Sequence, residues 1–575
     1  MSITRRDGAV VAALVLSLTV LGGVLALPAA APAAQPEPTA PPTAAPPVTY
    51  REAVVGVPDA IMPIVARTRS ERTLVGLIFS GLVKLGPGNT YEPDLASSWT
   101  TDDKGKTWTF TIRDGAAWQD GVPVTADDVV YTAEVLKSPD VSGAMAAAWA
   151  DVTATAIDAN TVEFKMATPI AGFLAAATQP LLPAHLLSTV PLTDLATSSF
   201  GQAPVGTGSY ALTQLDDTMA VLTPTTLMEG PTDSPTPAPT PSLDALVTPV
   251  PTAPPAAADP PIERIEVHFF ADDAAAADAF AAGSVDGIAG LLPAASEDLS
   301  KAAGVERLRY PTTTLATVLL NLRPSHPELR DVRVRQALLG VIDRDTLVAD
   351  ALGGDGVAAA SLVPPSSWAY DSGVAPVPFD TKTAARHLTD AGWKKKNGVW
   401  TAKGGKAPYK LELLTVPATA NPRLAAVTQF VAKAWTDFGI GVNVVETAGA
   451  DLATKLRAGD FAASILDITQ GLEPDLYPLL ASSQVRGAGT NLSGYQDPAL
   501  DTLLEAARKP AEPDARMAAW KALLAGLAAR QPLLPLAWHS ESVLVRGVDG
   551  AQTRLIADPG DRFWDVLAWR LAADR

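Results

Sequence analysis

The chain predicts an α/β fold divided into lobes, and three observations carry that expectation. Its 575 residues exceed what one ordinary core accommodates and suffice for two or three lobes with cores of their own. Its second half alternates capped helices with short apolar strands, the grammar of α/β lobes with open sheets. Its first half runs a half-buried strand through two Asp-Gly turns into a capped helix.

At the N-terminus, Arg5 and Arg6 precede an apolar run from Ala9 to Leu27, and an Ala/Pro tract continues through Pro47. Charge followed by an apolar run is an export signal. Roughly 20 apolar residues also suffice to span a bilayer. Residues 1–28 are therefore expected to be either a signal peptide, cleaved near Ala29 to Ala34, or a retained membrane anchor. Residues 29–48 form an Ala/Pro-rich linker, a semi-rigid spacer. Trp108, Phe110 and Ile112 then alternate with Thr107, Thr109 and Thr111 as a strand with one buried face. Asp114-Gly115 and Asp120-Gly121 mark turns, and Thr125 with Asp128 forms a capping box ahead of a helix whose Ala126, Val129, Val130 and Ala133 share a face.

A Pro/Thr/Ala-rich tract, about 224–261, lacks the large apolar residues a core needs and reads as a disordered surface insertion. Ile262 to Phe270 alternates as a strand, and Ala274 to Ala282 is an alanine-rich helix ended by Gly283. Leu315 to Leu320 is an apolar strand, and Asp331 to Val348 reads as one helix with Val334, Leu338, Val341 and Ile342 inward. The helix Thr383 to Ala391 leads into a lysine-rich hairpin, Lys394 to Lys410, read as a solvated face. Asn421-Pro422 caps a long helix that Gly439 stops, and the strand Val442 to Glu446 follows at once. Asp497 to Ala507 repeats the pattern, with Pro498 at the first helical position.

Composition excludes several functions. Forty-four basic against 62 acidic residues give a net charge of -18, which argues against nucleic acid and an anionic membrane surface as partners. Cysteine is absent, so there is no disulfide, no thiolate nucleophile, no cysteine-ligated metal and no cysteine for lipid attachment. The five histidines, His185, His268, His326, His387 and His539, are scattered without metal-ligand spacing. No phosphate-binding glycine loop and no G-x-S-x-G elbow occurs, so neither a nucleotide cofactor nor a metal is expected.

The stretch W-T-T-D-D-K-G-K-T-W-T-F-T-I-R-D-G-A-A-W-Q-D-G-V-P-V-T-A-D-D-V-V-Y from Trp99, P-V-G-T-G-S-Y from Pro204, N-L-R-P-S-H-P-E-L-R-D-V-R-V-R-Q-A-L from Asn321 and N-L-S-G-Y-Q-D-P-A-L-D-T-L-L from Asn491 resemble, in the same order, blocks of one family. That family is the extracytoplasmic solute-binding proteins of peptide- and nickel-type ABC importers, solute-binding protein family 5. Ser209 is a departure, since the pattern has Pro there. The resemblance implies a two-lobed periplasmic-binding-protein-like fold of type II, the venus flytrap, with an extra sub-domain in lobe I. Lobe I would comprise residues 49–85, 198–309 and 534–575, with the sub-domain at 86–197, and lobe II would comprise 310–533. It also implies a monomer without catalytic activity that binds a peptide or other small solute outside the cytoplasm and delivers it to ABC permease and ATPase subunits.

Relatives commonly hold a peptide's amino terminus with an aspartate three residues after a tryptophan, just before a D-P-D type turn. Placing Glu473-Pro474-Asp475 on that turn puts Asp467 at the tryptophan position and Gln470 at the aspartate position, with Thr469 between them. A neutral Gln makes no charge-assisted bond to an ammonium. Asp467, Thr469 and Gln470 are the candidate ligand contacts, with Asn321 at the end of its apolar strand and Trp368 as an apolar wall. Two other functions stay open: a binding module that has lost transport and acts as sensor or scaffold, and a hydrolase, for which no nucleophile and base are assembled.

Overall fold

Local chemistry decides most element ends in the computed structural model, which describes residues 46–102, 105–142, 149–167, 172–225, 261–485, 489–509 and 513–572. Thr125 and Asp128 close a reciprocal capping box at the head of the helix Ala126–Lys137. Asn421 caps Pro422–Phe438 through its side chain, and Gly439 ends that helix at φ 103°, a left-handed conformation that suits glycine. A Cβ there would meet the Gly398 carbonyl, so the position also needs the absent side chain. Asp497 caps Pro498–Arg508 in the same way as Asn421.

One expected helix is two. Residues 331–348 divide into Val332–Gly340 and Arg344–Ala351, because Asp343 turns out of the helix and caps the second segment by accepting from the Thr346 backbone N–H. The apolar strand expected at Leu315 to Leu320 is the end of a longer one, Val305–Leu320.

The open sheets of the two lobes are joined into one. From edge to edge, one sheet runs Gly441–Glu446, Lys410–Thr415, Ala463–Thr469, Val305–Leu320, Leu534–Arg546, Gly287–Ala289, Thr49–Val55, Arg264–Phe270, Met219–Pro224 and Tyr210–Leu215. The joint is the antiparallel pair Val305–Leu320 and Leu534–Arg546, of 16 and 13 residues. Its register breaks between Pro311 and Leu315. On one side of that break Leu308, Tyr310, Val543 and Val545 enter a core built around Tyr50, Ile78 and Ile265. On the other side Ala316, Val318, Leu534 and Leu536 enter a second core with Val334, Val431 and Trp435. Leu315, Leu319 and Trp538 face the opposite side of the sheet, against Leu500, Trp520 and Leu524. Two lobes therefore share two continuous strands.

A separate antiparallel sheet, in the order Ala96–Thr101, Thr107–Ile112, Thr161–Met166, Val152–Ala156, packs with the helix Ala126–Lys137 against the first core. Trp108, Phe110 and Ile112 are buried as their alternation predicts. The N-terminal signal or anchor and nearly all of the linker lie outside the described residues, as does the Pro/Thr/Ala tract over 226–260. The tract's flanking strands, Met219–Pro224 and Arg264–Phe270, are antiparallel neighbours. Among the described residues no helix is long and apolar enough to cross a membrane.

Candidate functional site

Charged side chains converge where the two long strands pass between the lobes. Ala463 and Ile465 point into the second core, so Asp467, two and four positions on, continues their face beyond the end of the apolar packing. That face brings it to the head of the helix Pro422–Phe438. Asn421 Nδ2 donates to Asp467 Oδ2 at 3.1 Å while Asn421 Oδ1 caps the helix at Leu424 N. His539, on the long strand Leu534–Arg546, has its Nε2 2.9 Å from Asp467 Oδ1. Both carboxylate oxygens are thus engaged, beside a helix N-terminus whose dipole favours negative charge.

Glu541 stands two residues beyond His539 on the same strand and pairs with Arg69 of the first lobe. Burial alone would raise its carboxyl. Arg69, aided by Arg562 and Arg423, outweighs that and holds it below the usual carboxylate range. Arg423, in the first turn of the Pro422–Phe438 helix, reaches across to the first lobe and donates to the Leu291 carbonyl at 2.6 Å. It is in no ion pair among the described residues. A groove of about 550 Å³ opens beside it, with Leu292 and Pro293 on one wall and Ala351, Gly353 and Pro422 on the other. That volume lies in the range of small-molecule sites.

The residues expected from sequence separate into different environments. Thr469 is exposed, its hydroxyl 3.0 Å from that of Thr314. Gln470 turns toward the lobe interior, where its Nε2 donates to the Leu362 carbonyl at 2.9 Å and its backbone exchanges bonds with Thr313. Its Oε1 is buried with no partner among the described residues. Asn321 is fully buried and spends its amide on the Gly459 and Phe461 carbonyls and the Arg323 N–H, an internal brace. Its place at the end of an apolar strand gave no hint of that, because burial there depends on the loop folding back from residue 459.

Trp368 belongs to a clasp between the lobes. Its Nε1 donates to Glu473 Oε2 at 2.9 Å, and the Arg516 guanidinium lies 4.2 Å above its ring. Arg516 Nη2 donates to the same Glu473 oxygen at 2.6 Å. From the first lobe Tyr91 adds its hydroxyl to Glu473. Burial first, then the Glu473 charge, pushes that phenol well above its ordinary value, so it stays a donor. Asn89, at φ 60°, donates to the Ser366 carbonyl at 2.6 Å and accepts from the Leu555 N–H. Among the described residues no group of three His, Cys, Asp or Glu side chains could hold a metal ion.

Known proteins share this architecture. A relative from Streptomyces lividans, protein XP55, is 28% identical over 513 residues, covering 87% of this chain and 86% of that protein. The oligopeptide-binding protein AppA of Bacillus subtilis (strain 168) is 24% identical, covering 79% of each chain. The crystal structure of NikZ from Campylobacter jejuni with Ni(L-His) superposes with a TM-score of 0.69 at 22% identity, over 92% of this chain and 100% of that one. The structure of B. subtilis AppA with a nonapeptide gives a TM-score of 0.66 at 22% identity, over 91% and 99%. These superpositions establish the two-lobed α/β fold. The model of the bacterial extracellular solute-binding proteins, family 5, matches residues 90–489, more than half of the sequence, and the chain belongs to that family.

Proposed function

We propose that this protein is the extracytoplasmic substrate-binding subunit of an ABC importer, capturing a peptide or a related small solute between its lobes and handing it to the permease. The observation that carries the reading is the convergence of Arg69 and Glu541 from one lobe with Arg423, Asn421 and Asp467 from the other, beside His539 on a shared strand. A solute touching both sets gains its full binding energy only when the lobes close, so it shifts the population toward the closed form. On this reading lobe I comprises residues 49–85, 198–309 and 534–575 with the sub-domain at 86–197, and lobe II comprises 310–533; the packing of Leu534 and Leu536 with the second core and of Val543 and Val545 with the first supports a return crossing nearer Ser540.

The ligand is a neutral or anionic solute rather than a free-amine peptide held in the usual way. Gln470 supplies no charge and has turned to Leu362. Asp467 already serves two donors, and an ammonium buried without a partner is strongly unfavourable. The candidate contacts are Asp467, His539, Arg69 and Arg423, with Thr469 at the rim. A thermal-shift screen across peptides, their N-acetylated forms, sugars, opines and metal chelates tests the function. A ligand at 100 times its dissociation constant stabilises by about 2.7 kcal/mol. Absence of any shift across these classes would contradict solute capture and favour a scaffold role.

A further inference from the structure

The second lobe carries a lysine-rich hairpin. Between Lys394 and Lys410 the chain carries six lysines and no acidic residue, although its net charge is -18. Lys394–Lys396 pairs antiparallel with Val399–Thr401 across an Asn397-Gly398 turn, both residues at positive φ, as a two-residue hairpin turn of this type requires. Strand alternation divides the lysines. Lys395 lies opposite Trp400 and folds inward, its Nζ donating to the Phe438 carbonyl at 3.0 Å. Lys394 and Lys396 point outward with Val399, which is 40% exposed. Lys403, Lys406 and Lys410 follow, all exposed. Among the described residues none of these six lysines is in an ion pair.

We propose that this hairpin is a docking surface for an anionic phospholipid bilayer. The whole-chain charge speaks against such a partner only if it acts at long range, and at physiological salt the Debye length is about 8 Å. Beyond that distance the negative remainder of the chain is screened, whereas lysines meeting the bilayer act at full strength, each contributing about fivefold in partitioning. The surface is open, without the concave wall or forked arginines that select a single phosphate. Its outward apolar residue, Val399, is flanked by cations, which suits a headgroup layer that is charged outside and apolar beneath.

The test is co-sedimentation of the full chain with neutral phosphatidylcholine vesicles and with vesicles containing one quarter phosphatidylglycerol, at 50 and 300 mM NaCl. The probes are wild type, the triple variant Lys394→Glu/Lys396→Glu/Lys403→Glu, the milder triple Gln variant, and a control reversing Lys165 and Lys301, exposed lysines of the first lobe. An excess of binding to the anionic vesicles that falls at high salt is expected. It should weaken at least tenfold in both hairpin variants and persist in the control, with unchanged melting temperatures. Three results overturn the proposal: equal binding to both vesicle types, anionic binding retained in the hairpin variants, or binding to soluble polyglutamate that is tighter than to the anionic vesicles at matched charge, which identifies an acidic polypeptide as the partner.

Discussion

Tyr91→Phe isolates the clasp between the lobes with the least collateral damage. It deletes one hydroxyl from a half-buried ring and leaves the ring's packing against the first core intact. The hydroxyl binds Glu473, a carboxylate that Trp368 and Arg516 hold in place and that is itself largely buried. A hydrogen bond to a charged group contributes about 1.5–3 kcal/mol. The bond exists only when the lobes meet, so its loss lowers the closed population by about 10- to 150-fold relative to the open one. Because the chain has no cysteine, an Ile157→Cys/Gln429→Cys pair can carry a donor and acceptor dye without competing sites. Single-molecule transfer efficiency should shift toward the open form in Tyr91→Phe, and the affinity for any ligand found by thermal shift should fall by tenfold or more. Unchanged lobe separation and unchanged affinity would refute the clasp. Glu473→Gln tests the same bond from its other end, but it also leaves the Arg516 cation unpaired, so a loss of stability is expected there in addition.

Two further changes probe the first lobe. Arg562 and Glu52 form an ion pair at 2.7 Å with both side chains almost completely buried, so Arg562→Met alone should cost about 3–5 kcal/mol in urea unfolding. The double variant Arg562→Met/Glu52→Leu should lose much less, because no charge is left alone. Asp94 has its carboxyl raised to about 6, by burial first, against the opposing pull of Lys84 and Arg113. A folded-state value above the ordinary 3.8 means that the native state binds the proton more tightly, so this group costs stability as pH rises from about 4 to about 6 and keeps that cost above it. Asp94→Asn should therefore stabilise the protein at pH 8 by up to about 3 kcal/mol, with the gain gone at pH 4.

What the sequence revealed depended on how local the physics was. The capping box of Thr125 and Asp128, the Asn421-Pro422 start and the Gly439 stop each need only neighbouring residues, and each formed as read. The break after Gly340 was missed because apolar residues keep helical spacing across it, and only the Asp343 cap distinguishes two helices from one. Asp467 was visible as a polar residue in an apolar strand, but its partners were not. Asn421 read as a helix cap alone, and His539 as one of five scattered histidines. Arg69 and Glu541 are 472 positions apart and meet only because the last long strand returns to the first lobe. Such a site is assembled by sheet order, which no local spacing encodes.

Calorimetry with di- to pentapeptides, each paired with its N-acetylated form, on wild type and Asp467→Asn bears most directly on how this protein holds its solute. With Asp467 occupied by Asn421 and His539, and with Arg423 in no ion pair among the described residues, acetylation should leave binding unchanged or strengthen it, and Asp467→Asn should change affinity by less than about tenfold. Tight binding of free peptides that acetylation abolishes, lost together in Asp467→Asn, would contradict the account and make Asp467 an anchor for the ligand's amine.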